Sequence, residues 1–269
     1  MAPMLAKLLI FCFFGLVQGL TEFLPISSSG HLTLAQFIVG PIQNSVPYFA
    51  FLHLATLLAV ILVLWKEIVA LFKNKEFKIF GLLMVASLPA ALVGYFLSDL
   101  VEQSFHSLAL VSLGFLFTGL LLAFLPLKVG PKRIKELNFI SALKIGLLQA
   151  LAVFPGISRS AMTILGGFWQ KLEPKDNFQF SYLLSIPIIF GAYLFELKKI
   201  EVYHLELGWL LGFGVAFISG FLSLKVLKKF FESQKLKFFK FFGFYLIVLT
   251  LICLSFLLLS PLLKGRFLL

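Results

Sequence analysis

The run "QGLTEFLPISSSGHL", Gln18 to Leu32, places an amide, a carboxylate, three consecutive hydroxyls and an imidazole in a segment otherwise apolar enough to sit in a membrane. Glu22 is the most costly of these. A carboxylate within a span costs roughly 2.5–3.5 kcal/mol on insertion scales, so such a residue marks a functional site unless it reaches interfacial water. Leu20, Phe23 and Leu24 around it argue against that escape. Gln18 stands one helical turn earlier and shares a face with Glu22. An amide oxygen beside a carboxylate suits a hard divalent cation, Mg²⁺ or Ca²⁺. Pro25 stops a helix, and Ser27, Ser28 and Ser29 are residues that cap the next one. The free N–H groups and positive dipole end of that helix make a phosphate site. His31, just inside it, is suited to protonate a leaving group or to activate a nucleophile.

A second run, "PGISRSAMT" from Pro155 to Thr163, carries Arg159. A buried arginine needs an anionic partner, and its planar fork matches two phosphate oxygens at once. The alternative is a structural pairing of Arg159 with Glu22. Ser158, Ser160 and Thr163 add hydroxyl donors. Together the two runs hold an acid, a cation site, hydroxyl nucleophiles, a histidine and a phosphate clamp, which is an inventory for phosphoryl transfer. A substrate that meets them at membrane depth carries a lipid tail. Among the remaining polar residues, His53 lies in an apolar span, where it either faces the same cavity or does not. His106 and His204 read as loop residues, and Asp99 and Glu102 as a solvated outer loop. Cys12 and Cys253 are far apart in apolar runs, without metal-ligand spacing, and read as small buried hydrophobes.

The elements that position these groups are membrane helices. The 269 residues are 60% hydrophobic and 13% charged, with a mean hydropathy of +1.03. Soluble domains are about 45–50% apolar and about 25% charged. The chain is therefore an all-α polytopic membrane protein forming a single integral membrane domain, with room for about six to eight membrane segments. Lys7 is a weak positive charge ahead of the first apolar run, and no small-residue cleavage site ends that run. The segment reads as part of the mature protein. Spans are expected near residues 46–65, 79–98, 107–127, 178–196, 208–226 and 241–260. The connecting segments 66–78, 128–138 and 225–240 are rich in Lys and Arg, whereas 99–106 has neither and 197–207 mixes Lys198 and Lys199 with Glu196, Glu201 and Glu206. The net charge of +11 thus follows the positive-inside rule and does not call for nucleic acid as a partner. The basic segments face the cytoplasm and the C-terminus lies outside.

Segments 5–40 and 139–172 are left over, each apolar at its flanks and interrupted by Pro, Gly and Ser. Broken backbone is tolerated in a membrane where protein or a water-filled cavity surrounds it, so each is expected to be a re-entrant helix pair. The breaks resemble each other: "GLVQGLTEFLPISSS" (15–29) aligns without a gap on "GLLQALAVFPGISRS" (146–160), matching Gln18 to Gln149, Phe23 to Phe154, Ser27 to Ser158 and Ser29 to Ser160. Each is followed by three spans. An odd number of spans per half inserts the halves in opposite senses, giving an inverted-topology repeat, about 1–127 and 139–262, with its site where the broken segments meet.

"QGLTEFLPISSSGHL" and "PGISRSAMT" resemble the two signature regions of the undecaprenyl-diphosphate phosphatases of the bacitracin-resistance type. The resemblance covers essentially the whole chain in length, span order and motif position. It implies a fold of inverted repeats with re-entrant helices and a multi-pass enzyme of the bacterial plasma membrane, its site open to the outer side. It also implies hydrolysis of undecaprenyl diphosphate to undecaprenyl phosphate and phosphate, which recycles the carrier for wall polymers, and dependence on a divalent cation. By motif, Gln18 and Glu22 fill the acidic box and bind the cation. Ser28 is the nucleophile, His31 its acid/base partner and Arg159 the phosphate clamp. Ser27, Ser29, Ser158, Ser160 and Thr163 support substrate. Gln18 stands where the family often has Glu, which leaves the cation site one negative charge poorer. The residues leave open whether the chain is a monomer or a homodimer, and whether water attacks directly. Inverted repeats with broken helices also suit a lipid-phosphate transporter. The type-2 phosphatidic-acid phosphatase family is set aside, because "SAMTILGGFWQ" after Arg159 supplies neither the His nor the Asp that it needs.

Overall fold

A computed structural model of the chain describes residues 2–40, 42, 45–197 and 206–264. Among these residues there are twelve α-helices and no β-strand. In the first half they are α1 (Ala2–Thr21), α2 (Ser28–Val39), α3 (Ser45–Val63), α4 (Trp65–Lys73), α5 (Phe77–Phe96), α6 (Ser98–Phe105) and α7 (Leu108–Phe124). The second half has α8 (Phe139–Leu151), α9 (Arg159–Trp169), α10 (Pro174–Leu197), α11 (Leu207–Glu232) and α12 (Phe238–Lys264).

Every expected span falls on a helix, and the chain is an all-α multi-pass membrane protein. By length and hydropathy α1, α3, α5, α10, α11 and α12 are each able to cross a membrane. Two details differ from expectation. The span near 107–127 is α7, short enough that it reaches a spanning length only together with α6, from which it bends by 99°. And α1 continues unbroken from Ala2 to Thr21, so the first broken pair is much longer than the second. The segments expected as loops are also partly helical: α4 occupies most of 66–78, α6 occupies 99–105, and α11 carries the lysines 225, 228 and 229 up to Glu232. Long Lys stems lie along apolar helix surface while their heads reach water, so a basic stretch does not by itself end a helix. Of the mixed segment 197–207, Lys198, Lys199, Glu201 and His204 lie outside the described residues.

The basic segments meet at one end of the bundle. Lys228 pairs with Glu67 at 2.6 Å, Lys78 Nζ donates to Lys135 O at 2.9 Å, and Lys135 pairs with Glu76. A 3-10 turn at Ile134–Glu136 is held there by Ile134 N donating to Asp176 Oδ2 at 2.6 Å. At the opposite end of α11, Glu206 pairs with Lys7 at 2.6 Å.

Small residues let the helices approach closely, which is how helices associate where lipid tails are as apolar as leucine. Gly15 and Gly19 of α1 lie against Gly212, Ala216 and Ser219 of α11. Gly146 of α8 lies against Ala86 of α5, and Gly119 of α7 against Gly243 of α12. The pairings exchange between halves: α1 packs on α11 as α8 packs on α5, and α3 packs on α11 as α10 packs on α5. Polar side chains are inside, with Gln18, Thr56, Gln149 and Asn177 buried, while leucines and phenylalanines cover the outside.

Candidate active site

The two breaks meet in the middle of the bundle. The first runs from Glu22 to Ser27, between α1 and α2, and the second from Ala152 to Ser158, between α8 and α9. Ser27 is the N-cap of α2; its Oγ accepts from Gly30 N at 3.3 Å and also from Gly156 N of the other break at 3.1 Å. It does so at a φ of 67°, a left-handed conformation uncommon outside glycine. Ser158 caps α9 in the same way, accepting from Ala161 N at 3.2 Å. Gly156 takes a φ of 88°, which is why the second break needs a glycine there. Ser160 Oγ donates to Leu24 O at 3.0 Å, and Tyr182 Oη of α10 donates to Phe23 O at 2.7 Å. The backbone of each break is thus held by side chains of other elements, as irregular backbone at this depth requires.

Glu22 is the centre of the arrangement. Its Oε1 accepts from Arg159 Nη2 at 2.7 Å and its Oε2 from Ser28 Oγ at 2.5 Å. Gln18 Nε2 donates to the same Oε2 at 3.1 Å and to Thr56 Oγ1 of α3 at 3.3 Å. His53 of α3 brings its Nε2 to 3.5 Å from Oε2. One oxygen therefore faces the arginine and the other faces the hydroxyl, the amide and the imidazole. Arg159 turns one edge of its fork to Glu22, and its Nη1 is buried without a hydrogen-bond partner among the described residues. An unpaired buried guanidinium nitrogen is expensive unless an anion completes it, and phosphate fits the fork.

Several expected residues lie elsewhere. His31 does not reach Ser28. Its Nδ1 donates to Ser27 O at 2.8 Å, and its Nε2 accepts from Tyr245 Oη of α12 at 2.8 Å, with the two rings stacked. Both ring nitrogens are therefore occupied away from the Ser28 hydroxyl. Ser29 Oγ lies 3.3 Å from Ser27 Oγ, and Ser158 Oγ lies 3.1 Å from Ser160 Oγ, so these hydroxyls brace the caps. Thr163 bonds to Arg159 O at 3.0 Å and to Ser181, within α9 and toward α10. His53 is the histidine at Glu22, and a polar pair at His53 and Thr56 on one apolar helix is the signal that points to it.

The two residues expected to hold a cation, Gln18 and Glu22, lie side by side. Among the described residues no group of three or more His, Cys, Asp or Glu comes together to hold a metal ion. Both Glu22 oxygens are taken up, and Gln18 presents its donor nitrogen to Glu22, leaving its own Oε1 buried and unpartnered. Arg159 supplies positive charge beside Glu22, and a cation would share the carboxylate with it.

These features sit inside a recognisable family. The family described as bacitracin resistance protein BacA matches residues 11–252, a stretch that includes both breaks and the residues around Glu22. The chain belongs to this family. Among curated BacA-like relatives, the undecaprenyl-diphosphatase of Thermosipho africanus is 44% identical over 246 residues, 88% of this chain and 96% of that protein. The undecaprenyl-diphosphatase of Methanococcus maripaludis strain C6 is 37% identical over 250 residues, 90% of this chain and 98% of its own length. That of Carboxydothermus hydrogenoformans is 35% identical over 245 residues, 88% and 94% respectively. The likeness thus extends from one end of the BacA fold to the other.

Proposed function

We propose that this BacA-family chain hydrolyses undecaprenyl diphosphate to undecaprenyl phosphate and inorganic phosphate, recycling the lipid carrier for wall synthesis and so conferring bacitracin resistance. The relatives' printed activity and the family's name support it. The single observation that carries it is the contact of Ser28 Oγ with Glu22 Oε2 at 2.5 Å, beside an arginine with a free edge.

The mechanism follows from that geometry. Arg159 Nη1 binds the terminal phosphoryl group, and the positive dipole ends of α2 and α9, which begin at the two breaks, favour the same anion. Ser28 Oγ gives its proton to Glu22 Oε2 and attacks phosphorus, expelling undecaprenyl phosphate. Once Glu22 has released that proton, water attacks the phosphoserine, one water proton passes by way of Glu22 to the departing Ser28 oxygen, and hydrogen phosphate leaves. Glu22 is thus the base that the sequence assigned to His31. The divalent cation implied by the resemblance belongs here to the diphosphate, as its counter-ion.

The two halves insert in opposite senses, which the exchange of helix partners between them supports. The meeting of the basic segments at one end supports placing that end in the cytoplasm of a plasma-membrane protein and the entry to the site on the outer side. The deciding experiment is phosphate release from purified protein given undecaprenyl diphosphate, with and without a chelator. Absence of release under both conditions overturns the assignment.

A further inference from the structure

We propose that His53 is the proton outlet of the site, taking from Glu22 the proton that Ser28 gives up and passing it to water. The inference rests on Glu22 being the base, and it adds a residue from α3, outside both broken segments.

The tautomer of the neutral ring follows from its partners. His53 Nδ1 lies 2.7 Å from Phe49 O, and a carbonyl oxygen only accepts, so Nδ1 carries hydrogen. In the neutral imidazole Nε2 is then a lone pair, and it is this atom that stands 3.5 Å from Glu22 Oε2. The same Oε2 accepts from Ser28 Oγ. A proton leaving Ser28 therefore arrives on the oxygen of Glu22 that lies 3.5 Å from His53 Nε2. Glu22 Oε1 is held by Arg159, which keeps the carboxylate from turning away. Glu22 faces the ring, and Thr56 on its own helix donates to His53 O at 3.0 Å. The ring is the more exposed of the two: its side chain is 27% exposed, against 6% for Glu22.

The chemistry needs such an outlet. A trianionic lipid diphosphate plus water gives a dianionic lipid phosphate, hydrogen phosphate and one proton. In the first step the Ser28 O–H bond breaks, the oxygen forms its bond to phosphorus, and the bridging P–O bond breaks with its electrons staying on undecaprenyl phosphate. The proton now sits on Glu22, and a protonated Glu22 cannot accept another from the attacking water. Transfer from Glu22 Oε2 to His53 Nε2, and from His53 to water, restores the carboxylate. In the second step the proton of the attacking water passes by way of Glu22 to the departing Ser28 oxygen, so the balance closes with one proton released. His53 touches no substrate atom and acts through Glu22, which makes it a positioning and relay residue.

The test uses the full-length purified enzyme with undecaprenyl diphosphate and two variants, His53→Ala and His53→Gln, compared at saturating substrate. Both should lose turnover by on the order of a hundredfold, the lower end of the range for a missing proton-transfer group, with KM little changed. Added imidazole should restore a saturable part of the rate in His53→Ala, where the ring leaves a space, and none in His53→Gln. A glutamine retains hydrogen bonding, so recovery of the rate in His53→Gln would mean a structural role and overturn the inference. Failure of imidazole to raise turnover in a folded His53→Ala, judged by an unchanged unfolding temperature, would overturn it too. Normal turnover in Glu22→Gln would remove the underlying base assignment, and this inference with it.

Discussion

Ser28 and Arg159 occupy the same position in the two matching breaks, and they meet on opposite oxygens of Glu22, at 2.5 Å and 2.7 Å. One half of the chain contributes the hydroxyl and the carboxylate, and the other contributes the cation. At the position matching Glu22 the second half has Val153, so a single carboxylate serves both.

Ser28→Ala should abolish turnover while leaving the fold intact, because Ser28 caps nothing and loses only its bond to Glu22. Acid quenching of the wild-type reaction should trap a phosphoserine that is absent from the variant. Retention of substantial activity by Ser28→Ala would instead make water the direct attacker, with Glu22 as its base.

Arg159→Lys should insert and fold but lose about a hundredfold in rate, the roughly 3 kcal/mol that one charge-stabilising contact contributes in a dry site. Lysine keeps the charge but has no second edge, so it cannot hold Glu22 and phosphate together. Steady-state phosphate release decides it, and a near wild-type rate in Arg159→Lys would show that the free Nη1 is not the clamp.

Gln18→Glu should strengthen cation binding beside Glu22. Two carboxylates one helical turn apart repel each other unless a dication is shared between them. Calorimetric titration of substrate-free protein with Ca²⁺ or Mg²⁺ should therefore show tighter binding for Gln18→Glu than for wild type. Equal binding by both would mean that the side chain at position 18 is no ligand.

For topology, single cysteines at Gln103 and Lys132 should label oppositely in intact cells, in a background with Cys12 and Cys253 replaced. Both side chains are exposed in the structure. An impermeant thiol reagent should modify Gln103→Cys and not Lys132→Cys; the reverse pattern would turn the site toward the cytoplasm.

The spans were legible because each is a long apolar run bounded by charge, and the breaks because Pro, Gly and Ser interrupt two of them. The Ser28, Glu22 and Arg159 cluster was legible because polar types this costly gather in two matching places. What the residue order hides is rotation about each helix. His31 follows Ser27 by one turn, so its Nδ1 reaches back along the helix to Ser27 O and its far side turns to Tyr245. His53 is distant in sequence and becomes a neighbour of Glu22 only because α3 packs beside α1. What the pair Gln18 and Glu22 offers a cation is hidden for a similar reason. Spacing identified Gln18 and Glu22 as sharing a face, but it could not show which amide atom Gln18 presents or that Arg159 already neutralises the carboxylate.

Gly30, Gly114 and Gly156 come together where the broken segments cross: a Cβ on either Gly30 or Gly114 would lie 2.9 Å from Gly156 Cα. That contact is a rivet through the molecule. A carrier that exposes its cargo first to one side and then to the other would have to pull this rivet apart in every cycle, stripping Ser27 Oγ from Gly156 N as it did so. A hydrolase needs no such stroke, because the lipid does the travelling. The seam therefore suits a hydrolase, whose catalysis can proceed with this crossing closed.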